Sequence, residues 1–432
     1  MRIVKLTEET RNDLLSTLLK RSPNQYTEYE DKVSEIVENV RSRKDEALFE
    51  YTEKFDHISL TPETVRVTEE EIEEAYREVD PKLTEVIRKA LKNIRAYHEK
   101  QRRNSWFDSQ ENGILLGQKI SPLSRVGVYV PGGKAVYPSS VLMNVVPAKV
   151  AGVKQIIMTT PCRDGKVSPN TLVAAHEAGV DAIFKVGGAQ AIAALAHGTQ
   201  TIPKVDKIVG PGNIFVALAK KAVYGFTGID SIAGPSEITV LADGTANARY
   251  VAADLLSQAE HDELASSILV TTSGKLAEDV STQIDEFLKT LSRADIIRKS
   301  LDNYGYILLV DTLEEGISVV DEIAPEHLEI VTSNPFDTMT RVRNAGAMFL
   351  GQYSSEPLGD YFAGPNHILP TNGTARFFSP LSVDDFVKKS SVIYYSEEAL
   401  RAVHEDIESF AKAEELTAHA NSIAVRFDQE EG

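Results

Sequence analysis

The sequence predicts an α/β fold in which two parallel sheets are covered by helices. Short β-branched or apolar runs begin about every 25–30 residues, which is the length of a strand–helix–strand unit. The runs are apolar throughout, as expected for strands buried on both faces of a parallel sheet. The segments between them, such as 140–150 and 171–179, have helical composition. The predicted strands, enough for two sheets, are Val126–Val130, Gln155–Thr160, Ala182–Val186, Lys207–Val209, Ile238–Ala242, Ile268–Thr271, Tyr306–Val310, Leu328–Val331 and Ala347–Leu350.

Both ends of the chain are predicted to be helical. Asp80 is a suitable N-cap for a helix that starts at Pro81, and Thr68 with Glu71 forms a capping-box pattern. From Ser396 onward the sequence is helical again. The N-terminal helices are expected to act as a scaffold or as a dimer contact. Behind Pro81, one apolar stripe with helical spacing comprises Leu83, Val86, Ile87, Ala90, Leu91, Ile94 and Tyr97.

Composition and charge exclude several functional classes. The 432 residues include 46 Lys+Arg and 64 Asp+Glu, and the net charge of −18 argues against nucleic acid, which is bound through cations on its phosphates. The single cysteine excludes internal disulfides, multi-cysteine zinc sites and iron–sulfur clusters, and it favours a reducing, cytoplasmic compartment. The N-terminus lacks a signal-peptide pattern, and no run of about 18 apolar residues occurs, so we expect no membrane association.

Three glycine-rich turns follow predicted strands, at 130–134, 186–190 and 209–213. In a doubly wound sheet, ligands bind at the carboxyl ends of the strands, where such turns lie. None of the three matches the G-x-G-x-x-G fingerprint, and Lys134 is followed by Ala135, so the first is not a Walker loop. One such turn is most often structural, but three in one sheet indicate a binding crevice for a nucleotide that they do not identify.

Several histidines stand near acids or amides. Gln258 and His261 are three residues apart in a helical context, so both side chains can face one point. Histidine, carboxylate and amide oxygen are ligands for a divalent cation, and a few of them with an open position describe a catalytic zinc-like site. Each residue alone also has a structural interpretation, and isolated helical histidines such as His98 and His404 are expected in solvent. The other candidates are Glu326 and His327 before a strand, and Asp360 and His367 in one loop.

Two further observations constrain the site. Glu414 and His419 are five residues apart, about 140° around a continuous helix, so they share a pocket only if Glu414 lies in the lead-in to that helix. Cys162 lies in a polar loop after a strand, with Arg163 beside it and no histidine near in sequence. A nucleophilic role for this thiol is therefore not favoured.

Eight segments together resemble the histidinol dehydrogenase family of NAD-linked, zinc-containing enzymes. They occur in order between positions 130 and 393, and the helical ends fit the same pattern, so the resemblance covers nearly the whole chain. One departure is Glu415, where the family usually has a glycine, which would permit a positive φ. The segments are VPGGKAVYPSSVLMN, VGGAQAIAALAHGT, VGPGN, IAGPSE, DLLSQAEHD, APEHLEI, GDYFAGPNHILPT and LSVDDFVKKSSVI.

The resemblance implies a domain organisation. It implies two incomplete Rossmann-like parallel-sheet domains, one inserted in the other, with helical arms that intertwine two subunits of a homodimer. Carried onto this chain, the first α/β domain, with the metal and catalytic residues, comprises 26–128 and 237–380. The inserted NAD-binding domain comprises 129–236. The arms are 1–25 and 381–432, and the second of these reaches the partner subunit.

The resemblance also implies roles for individual residues. Glu326 and His327 are the catalytic pair, and the NAD contacts are Tyr129, Gln190 and Asn213. One zinc ion per subunit is expected on Gln258, His261, Asp360 and His419. The substrate contacts are expected to be Ser236, Gln258, His261, His327, Asp360, His367, Glu414 and His419. Glu414 and His419 are expected to enter the active site of the partner subunit.

The implied activity is the oxidation of L-histidinol to L-histidine by two hydride transfers through histidinaldehyde, the end of histidine biosynthesis. Zinc would position the substrate, His327 would act as general base and Glu326 would activate water. The nearest alternative is a zinc- and NAD-dependent relative that oxidises another small polar alcohol. Glu414 argues against an anionic substrate, because it would face an ammonium group. A zinc hydrolase and a non-catalytic binding protein are more distant alternatives.

Overall fold

The structure is a computed structural model that describes residues 1–19, 27–132 and 136–427. The predictions for 20–25 of the N-terminal arm, for Gly133 and Lys134 of the first glycine-rich turn, and for 428–432 of the C-terminal arm lie outside these residues. The chain forms two compact units. The larger unit comprises Met1–Gln101 and Leu123–Phe386, and the smaller unit comprises Arg102–Pro122 and Val387–Gly432.

Strands and helices alternate through the middle of the chain. The strands are β1 (Arg2–Lys5), β2 (Trp106–Gln110), β3 (Ile114–Pro122), β4 (Arg125–Tyr129), β5 (Gln155–Thr159), β6 (Ala182–Phe184), β7 (Lys207–Val209), β8 (Gly228–Ile229), β9 (Glu237–Ala242), β10 (Ser266–Thr271), β11 (Gly305–Leu309), β12 (His327–Val331), β13 (Ala347–Leu350) and β14 (Val387–Tyr395). The helices are α1 (Glu8–Leu19), α2 (Thr27–Arg43), α3 (Asp45–Asp56), α4 (Glu69–Glu78), α5 (Pro81–Glu99), α6 (Pro138–Ala151), α7 (Pro169–Ala178), α8 (Gly188–His197), α9 (Ile214–Val223), α10 (Ala248–Ala259), α11 (Gly274–Phe287), α12 (Ala294–Tyr304), α13 (Leu313–Ile323), α14 (Pro335–Arg341), α15 (Glu356–Leu358), α16 (Glu397–Arg401), α17 (His404–Ala413) and α18 (Thr417–Ala424).

Two parallel sheets lie in the larger unit, which confirms the predicted fold class. The six-stranded sheet has the order β1-β11-β10-β9-β12-β13, and in its register His327 stands opposite Ile238 and Ala347. The five-stranded sheet has the order β6-β5-β4-β7-β8. Every strand pair in both sheets is parallel.

Helices cover both faces of the five-stranded sheet. Helices α4, α5, α6 and α7 contribute to one core, and helices α2, α3, α8 and α9 contribute to the other. The N-terminal helices α2 to α5 are therefore part of the scaffold of this sheet. Because both sheets fall in one compact unit, the predicted limits between two α/β domains stay a prediction. Among the described residues, no helix is both long and apolar enough to cross a membrane.

The nine predicted strands are confirmed, each within two residues at either end. Strands β1, β2, β3, β8 and β14 are not among the predicted strands. Most residues of β1, β2 and β14 are exposed, so these strands carry no run of buried apolar residues. Their pairing is also remote in sequence, as β1 pairs with β11 and β14 pairs with β3. Local pattern cannot reveal a strand that is stabilised by a distant partner.

The predicted helix starts near residues 68 and 80 are confirmed. The Glu71 N–H donates to the Thr68 hydroxyl at 3.3 Å, and the Thr68 N–H donates to the Glu71 carboxylate at 2.9 Å. Asp80 accepts from the Lys82 N–H at 2.9 Å. One expectation is wrong, because His98 at the end of α5 is completely buried. Its Nδ1 lies 2.7 Å from the Gln101 amide oxygen, so the ring is part of the core.

The smaller unit contains an antiparallel sheet followed by helices. Strand β3 lies between β2 and β14, with Gly117 opposite both Phe107 and Val392. Helices α16, α17 and α18 follow. The predicted arm at 381–432 is therefore helical only from Glu397, because it begins with a short 3-10 turn and strand β14.

A buried ion pair supports the glycine-rich turn after β7. Lys220 on α9 pairs with Asp230, and both side chains are almost fully buried. Lys220 also donates to the Gly210 carbonyl at 3.1 Å, while Asp230 accepts from the Gly210 N–H at 2.8 Å. Gly210 has φ +118, and a Cβ there would stand 2.0 Å from the Tyr129 carbonyl oxygen. The turn therefore requires glycine, and the ion pair holds it at both of its backbone polar groups.

Substitution of Lys220 by methionine is expected to destabilise the larger unit by about 3–5 kcal/mol, because it leaves Asp230 buried without its counter-charge. The matched control is Lys221→Met, which removes the exposed pair with Glu30 and is expected to cost about 0–1 kcal/mol. The midpoint of urea unfolding measures both effects. Equal midpoints for the two variants would contradict a structural role for the buried pair.

Candidate functional site

Glu326 and His327 are delivered to the site by a tight connection between a helix and a strand. Helix α13 ends at Ile323, and the next residue, Ala324, has a left-handed backbone (φ 49) and precedes Pro325. Strand β12 then begins at His327. Glu326 and His327 are buried, with 7% and 4% of their surfaces exposed. A non-glycine residue in this backbone region costs about 1–3 kcal/mol and is typical of functional sites.

Backbone groups of Glu237, the first residue of β9, orient both side chains. The His327 Nδ1–H donates to the Glu237 carbonyl at 3.0 Å, and the Glu237 N–H donates to Glu326 Oε2 at 2.8 Å. Because Nδ1 carries the donated proton, Nε2 is the ring atom available for proton transfer. Nε2 lies 3.7 Å from Asp360 Oδ1 and has no hydrogen-bond partner among the described residues.

The surroundings shift the pKa of each of these groups. Burial raises the pKa of Glu326 to about 8, even though the facing His327 ring opposes this. Burial lowers the pKa of His327, but Glu326 and Asp360 outweigh it and raise the value to about 10. Burial also raises the pKa of Asp360, but His327 and His367 outweigh it and lower the value to about 2. Such shifts in a buried cluster of titratable side chains are typical of catalytic groups.

Asp360 and His367 belong to one loop, as the sequence indicates. Asp360 lies in a π-helical turn, Gly359–Ala363, a geometry often found at functional sites. The His367 Nδ1–H donates to the Asp360 carbonyl at 3.1 Å, and its Nε2 lies 3.3 Å from the Ser140 hydroxyl, which can donate to it. Burial lowers the pKa of His367, which favours the neutral ring. This histidine can therefore act as a neutral hydrogen-bonding partner.

Three side chains form a cluster of metal-ligating atoms. One ligand atom from each of His261, Glu356 and Asp360 lies within 4.8 Å of the others. Gln258, one turn before His261, is completely buried, and neither atom of its amide has a hydrogen-bond partner among the described residues. A buried amide without partners is costly, and a bound cation would satisfy its oxygen. These donors fit a divalent ion such as zinc.

Glu356 is a residue that sequence reasoning missed. It is buried, it accepts from the Ser257 hydroxyl at 2.9 Å, and its own N–H donates to Glu329 at 3.0 Å. Burial is the largest cause that raises the pKa of Asp254 to about 6 and of Glu356 to about 7, and it also raises the pKa of Glu329. So many buried carboxyl groups favour a cation nearby. No local motif marks Glu356, which begins the three-residue helix α15 directly before Pro357.

The predicted NAD contacts lie together in a cavity of about 1250 Å³ at the carboxyl ends of the five-stranded sheet. Tyr129, Gln190 and Asn213 all line it. The Gly188 N–H donates to the Tyr129 hydroxyl at 3.2 Å, and Asn213 caps helix α9 by accepting from the Phe215 N–H at 3.1 Å. Helices α8 and α9 both begin at this cavity, and helix N-termini favour phosphate groups. The cavity therefore suits a dinucleotide.

Cys162 lines the same cavity. Burial raises the pKa of this thiol, and its Sγ lies 3.7 Å from the Lys185 carbonyl. The protonated thiol is therefore favoured over the thiolate that a nucleophile requires. This environment agrees with the expectation that sulfur takes no part in the reaction.

The remaining predicted contacts lie in different parts of the chain. Ser236 directly precedes β9, and its carbonyl accepts from the Ser266 N–H at 3.0 Å. Glu414 and His419 lie in the smaller unit, where both line one hollow of about 590 Å³. Glu414 is in the lead-in to α18, which is the condition under which the two can share a pocket.

The residue that departs from the family pattern has the backbone conformation that favours glycine. Glu415 has φ 59, in the left-handed region, between α17 and α18. A side chain in this region costs about 1–2 kcal/mol, which the chain bears without losing the turn. The turn geometry therefore survives the replacement of glycine by glutamate.

Comparison with known proteins shows extensive similarity over the full length of the chain. The family model for histidinol dehydrogenase matches residues 19–427. A histidinol dehydrogenase of Caldanaerobacter subterraneus is 58% identical over 421 residues, covering 98% of both chains. One from Geobacillus kaustophilus is 58% identical over 415 residues, covering 96% of this chain and 97% of that protein. The crystal structure of histidinol dehydrogenase from Elizabethkingia anophelis superposes with a TM-score of 0.93 at 37% identity, covering 100% of this chain and 99% of that one. The chain therefore belongs to the histidinol dehydrogenase family of oxidoreductases.

Proposed function

We propose that this chain oxidises L-histidinol to L-histidine with two molecules of NAD⁺, through histidinaldehyde, at the end of histidine biosynthesis in the cytoplasm. The observation that carries the proposal is the arrangement of His327, Glu326 and Asp360, with the free Nε2 of His327 directed at Asp360. The relatives reported above are named for this activity. The cavity at Tyr129 and Asn213 supplies a place for the dinucleotide.

We propose His327 as the general base for the substrate hydroxyl. Its Nδ1–H bond to the Glu237 carbonyl fixes the tautomer and leaves Nε2 to accept the proton. Glu326 and Asp360 both favour the protonated ring, and a cation held by Asp360 would oppose them and favour the neutral base. During the second oxidation the same ring would accept a proton from the aldehyde hydrate.

We propose Glu326 as the residue that activates water for hydration of the aldehyde. Its pKa of about 8, raised by burial, suits a group that takes and returns a proton near neutral pH. His367 would hold a polar group near the reacting carbon. The raised pKa of Cys162 supports a route through activated water rather than through a thiohemiacetal.

We propose that one zinc ion per subunit is held by Gln258, His261 and Asp360, with His419 of the partner subunit as a further ligand. The ion would act as a template that positions the substrate nitrogens. Glu414 of the partner subunit would bind the substrate ammonium group, and Ser236 would complete the substrate site. This arrangement requires a homodimer in which each C-terminal segment enters the partner's active site. We propose no nucleic acid or membrane partner.

The function is tested by counting NADH formed for each molecule of L-histidinol consumed. Two molecules are expected, because alcohol to acid is a four-electron oxidation and each hydride transfer carries two electrons. Absorbance of NADH and chromatography of the product provide the measurement. One NADH with accumulation of aldehyde would overturn the second oxidation. No reaction with histidinol but turnover of another polar alcohol would support the alternative substrate.

The variant His327→Gln is expected to lose about 10²- to 10⁴-fold in turnover of both histidinol and histidinaldehyde, because it removes the general base. Zinc content should be unchanged, which separates loss of the base from loss of the metal. His176→Gln is the matched control, since that ring is exposed and its Nδ1 lies 2.9 Å from the Tyr76 hydroxyl. Near-normal turnover of His327→Gln would show that another group is the base.

Removal of the metal by a chelator is expected to abolish NADH formation, and addition of Zn²⁺ should restore it. His261→Asn should bind less than one zinc per subunit, as measured by atomic absorption, because it removes one member of the ligand cluster. His57→Asn, which changes a histidine far from this cluster in sequence, should retain its zinc. A fully active metal-free protein would refute the role of zinc.

A further inference from the structure

The N-terminal helices do more than support the sheet, because they also form one wall of the large cavity. Asp56 and His57 from the end of α3, and Lys32 from α2, line it together with Tyr129. Helix α3 ends at Asp56, where His57 takes a left-handed conformation with φ 58. The sequence analysis assigned this part of the chain only a scaffold or dimer role.

In this wall, one oxygen of the Asp56 carboxylate receives no hydrogen bond from the described residues. Its Oδ2 is buried and has no hydrogen-bond partner within 1–19, 27–132 and 136–427. Burial raises the pKa of Asp56, even though the neighbouring His57 ring opposes this. A buried acceptor without a donor is unfavourable and is rare in native proteins. A ligand that brings hydroxyl donors would remove this cost.

Asp56 lines the same cavity as Tyr129, at the end of β4, and Cys162, just after β5. Its charge acts on both the Tyr129 hydroxyl, at the end of β4, and the Cys162 thiol, just after β5. Burial is the main reason that the pKa of Tyr129 rises to about 12 and that the pKa of Cys162 is raised, and Asp56 adds to both. The carboxylate therefore stands at the carboxyl end of the β4–β5 pair.

The strand order of the five-stranded sheet indicates which class of ligand binds at its carboxyl ends. Counted from β4 as the first strand, the order β6-β5-β4-β7-β8 is 3-2-1-4-5, the order of a dinucleotide-binding sheet. In that fold an acidic residue near the end of the second strand binds the ribose hydroxyls of the adenosine half. Here β5 ends at Thr159, and the first acidic residue after it is Asp164, which is exposed and also lines the cavity.

We infer that Asp56 binds the 2′- and 3′-hydroxyls of the adenosine ribose and thereby makes the chain selective for NAD⁺ over NADP⁺. Helix α3 brings to the cavity a carboxylate with a buried oxygen that has no hydrogen-bond partner among the described residues, whereas the Asp164 carboxylate is exposed. Two neighbouring hydroxyls would donate to the carboxylate, whereas a 2′-phosphate would place a second negative charge against it. This inference rests on the proposed function, because it assumes that the cavity holds the dinucleotide.

Cations also line the cavity, so selectivity is not set by net charge alone. Lys32 and Arg163 are exposed, and Lys166 is paired with Glu74 at 3.0 Å. These groups suit the pyrophosphate, and without Asp56 they would also accept a 2′-phosphate. Removal of the Asp56 charge should therefore improve use of NADP⁺ while it weakens use of NAD⁺.

The test compares the unaltered protein with Asp56→Asn, in each case measuring kcat/KM for NAD⁺ and NADP⁺ with histidinol. Asp56→Asn should lower kcat/KM for NAD⁺ about 10- to 100-fold, mainly through KM, because charge-assisted hydrogen bonds are lost. Use of NADP⁺ should improve in the same variant. Glu53→Gln on the same helix is the matched control, as this exposed carboxylate does not line the cavity.

Competitive inhibition by AMP and 2′-deoxy-AMP localises the contact. The unaltered protein should bind AMP more tightly than the deoxy form, and Asp56→Asn should not distinguish the two. Persistence of discrimination in Asp56→Asn would overturn the inference, as would its loss only in Asp164→Asn, a neighbouring carboxylate of the cavity. If the unaltered protein neither binds NAD⁺ in calorimetry nor forms NADH, the proposed function fails instead.

Discussion

The peptide groups of Glu237 hold both predicted catalytic side chains in place. This residue starts strand β9, and β9 is the neighbour of β12 in the six-stranded sheet. Its N–H donates to Glu326 and its carbonyl accepts from His327. The two functional groups are therefore oriented by the first residue of a strand rather than by a flexible loop. The Glu237 carboxylate in turn accepts from the Asn372 N–H at 3.2 Å. Orientation by backbone groups is rigid, and a proton-transfer group depends on that rigidity.

The two parallel sheets carry their candidate functional residues at opposite ends of their strands. In the five-stranded sheet, the cavity lies at the carboxyl ends, where glycine-rich turns and helix N-termini meet. In the six-stranded sheet, Glu326 and His327 lie at the amino end of β12, beside the amino end of β9. The first location follows the general behaviour of doubly wound sheets. The second departs from it, and it depends on the left-handed turn at Ala324 and on the loop that carries Asp360.

The candidate site contains several buried carboxyl groups, and their burial is energetically unfavourable. Glu326, Glu329 and Glu356 are all buried carboxyl groups whose pKa burial raises, and they lie near His327 or near the cluster of ligand atoms. Elsewhere the chain compensates a buried charge directly, as Lys220 does for Asp230. At the candidate metal cluster the compensation among described residues is incomplete, since the Gln258 amide has no partner. A cluster of buried carboxyl groups without full compensation is unfavourable, and a bound cation would stabilise it.

Much of the fold could be predicted from local pattern. The nine predicted strands and the helix starts at Glu69 and Pro81 are confirmed, because continuous apolar runs and capping residues are visible within a few neighbouring positions. The exposed strands were missed for the opposite reason. The pairing of β14 with β3, and of β1 with β11, joins segments hundreds of residues apart. His98 was placed in solvent for a similar reason, since only its contacts with Gln101 and Asn366 show that it is buried.

The sequence by itself determined the fold class, the family resemblance and the residue types at the candidate site, because these depend on order and spacing along the chain. The tertiary structure decided which side chains meet. It placed Glu356 and Asp360, which are four residues apart, beside His261, which lies almost a hundred residues earlier in the chain. It also brought Asp56 of an N-terminal helix to the end of a strand that begins about a hundred residues later. Contacts of this kind depend on how helices pack on sheets, and packing is a property of the whole chain.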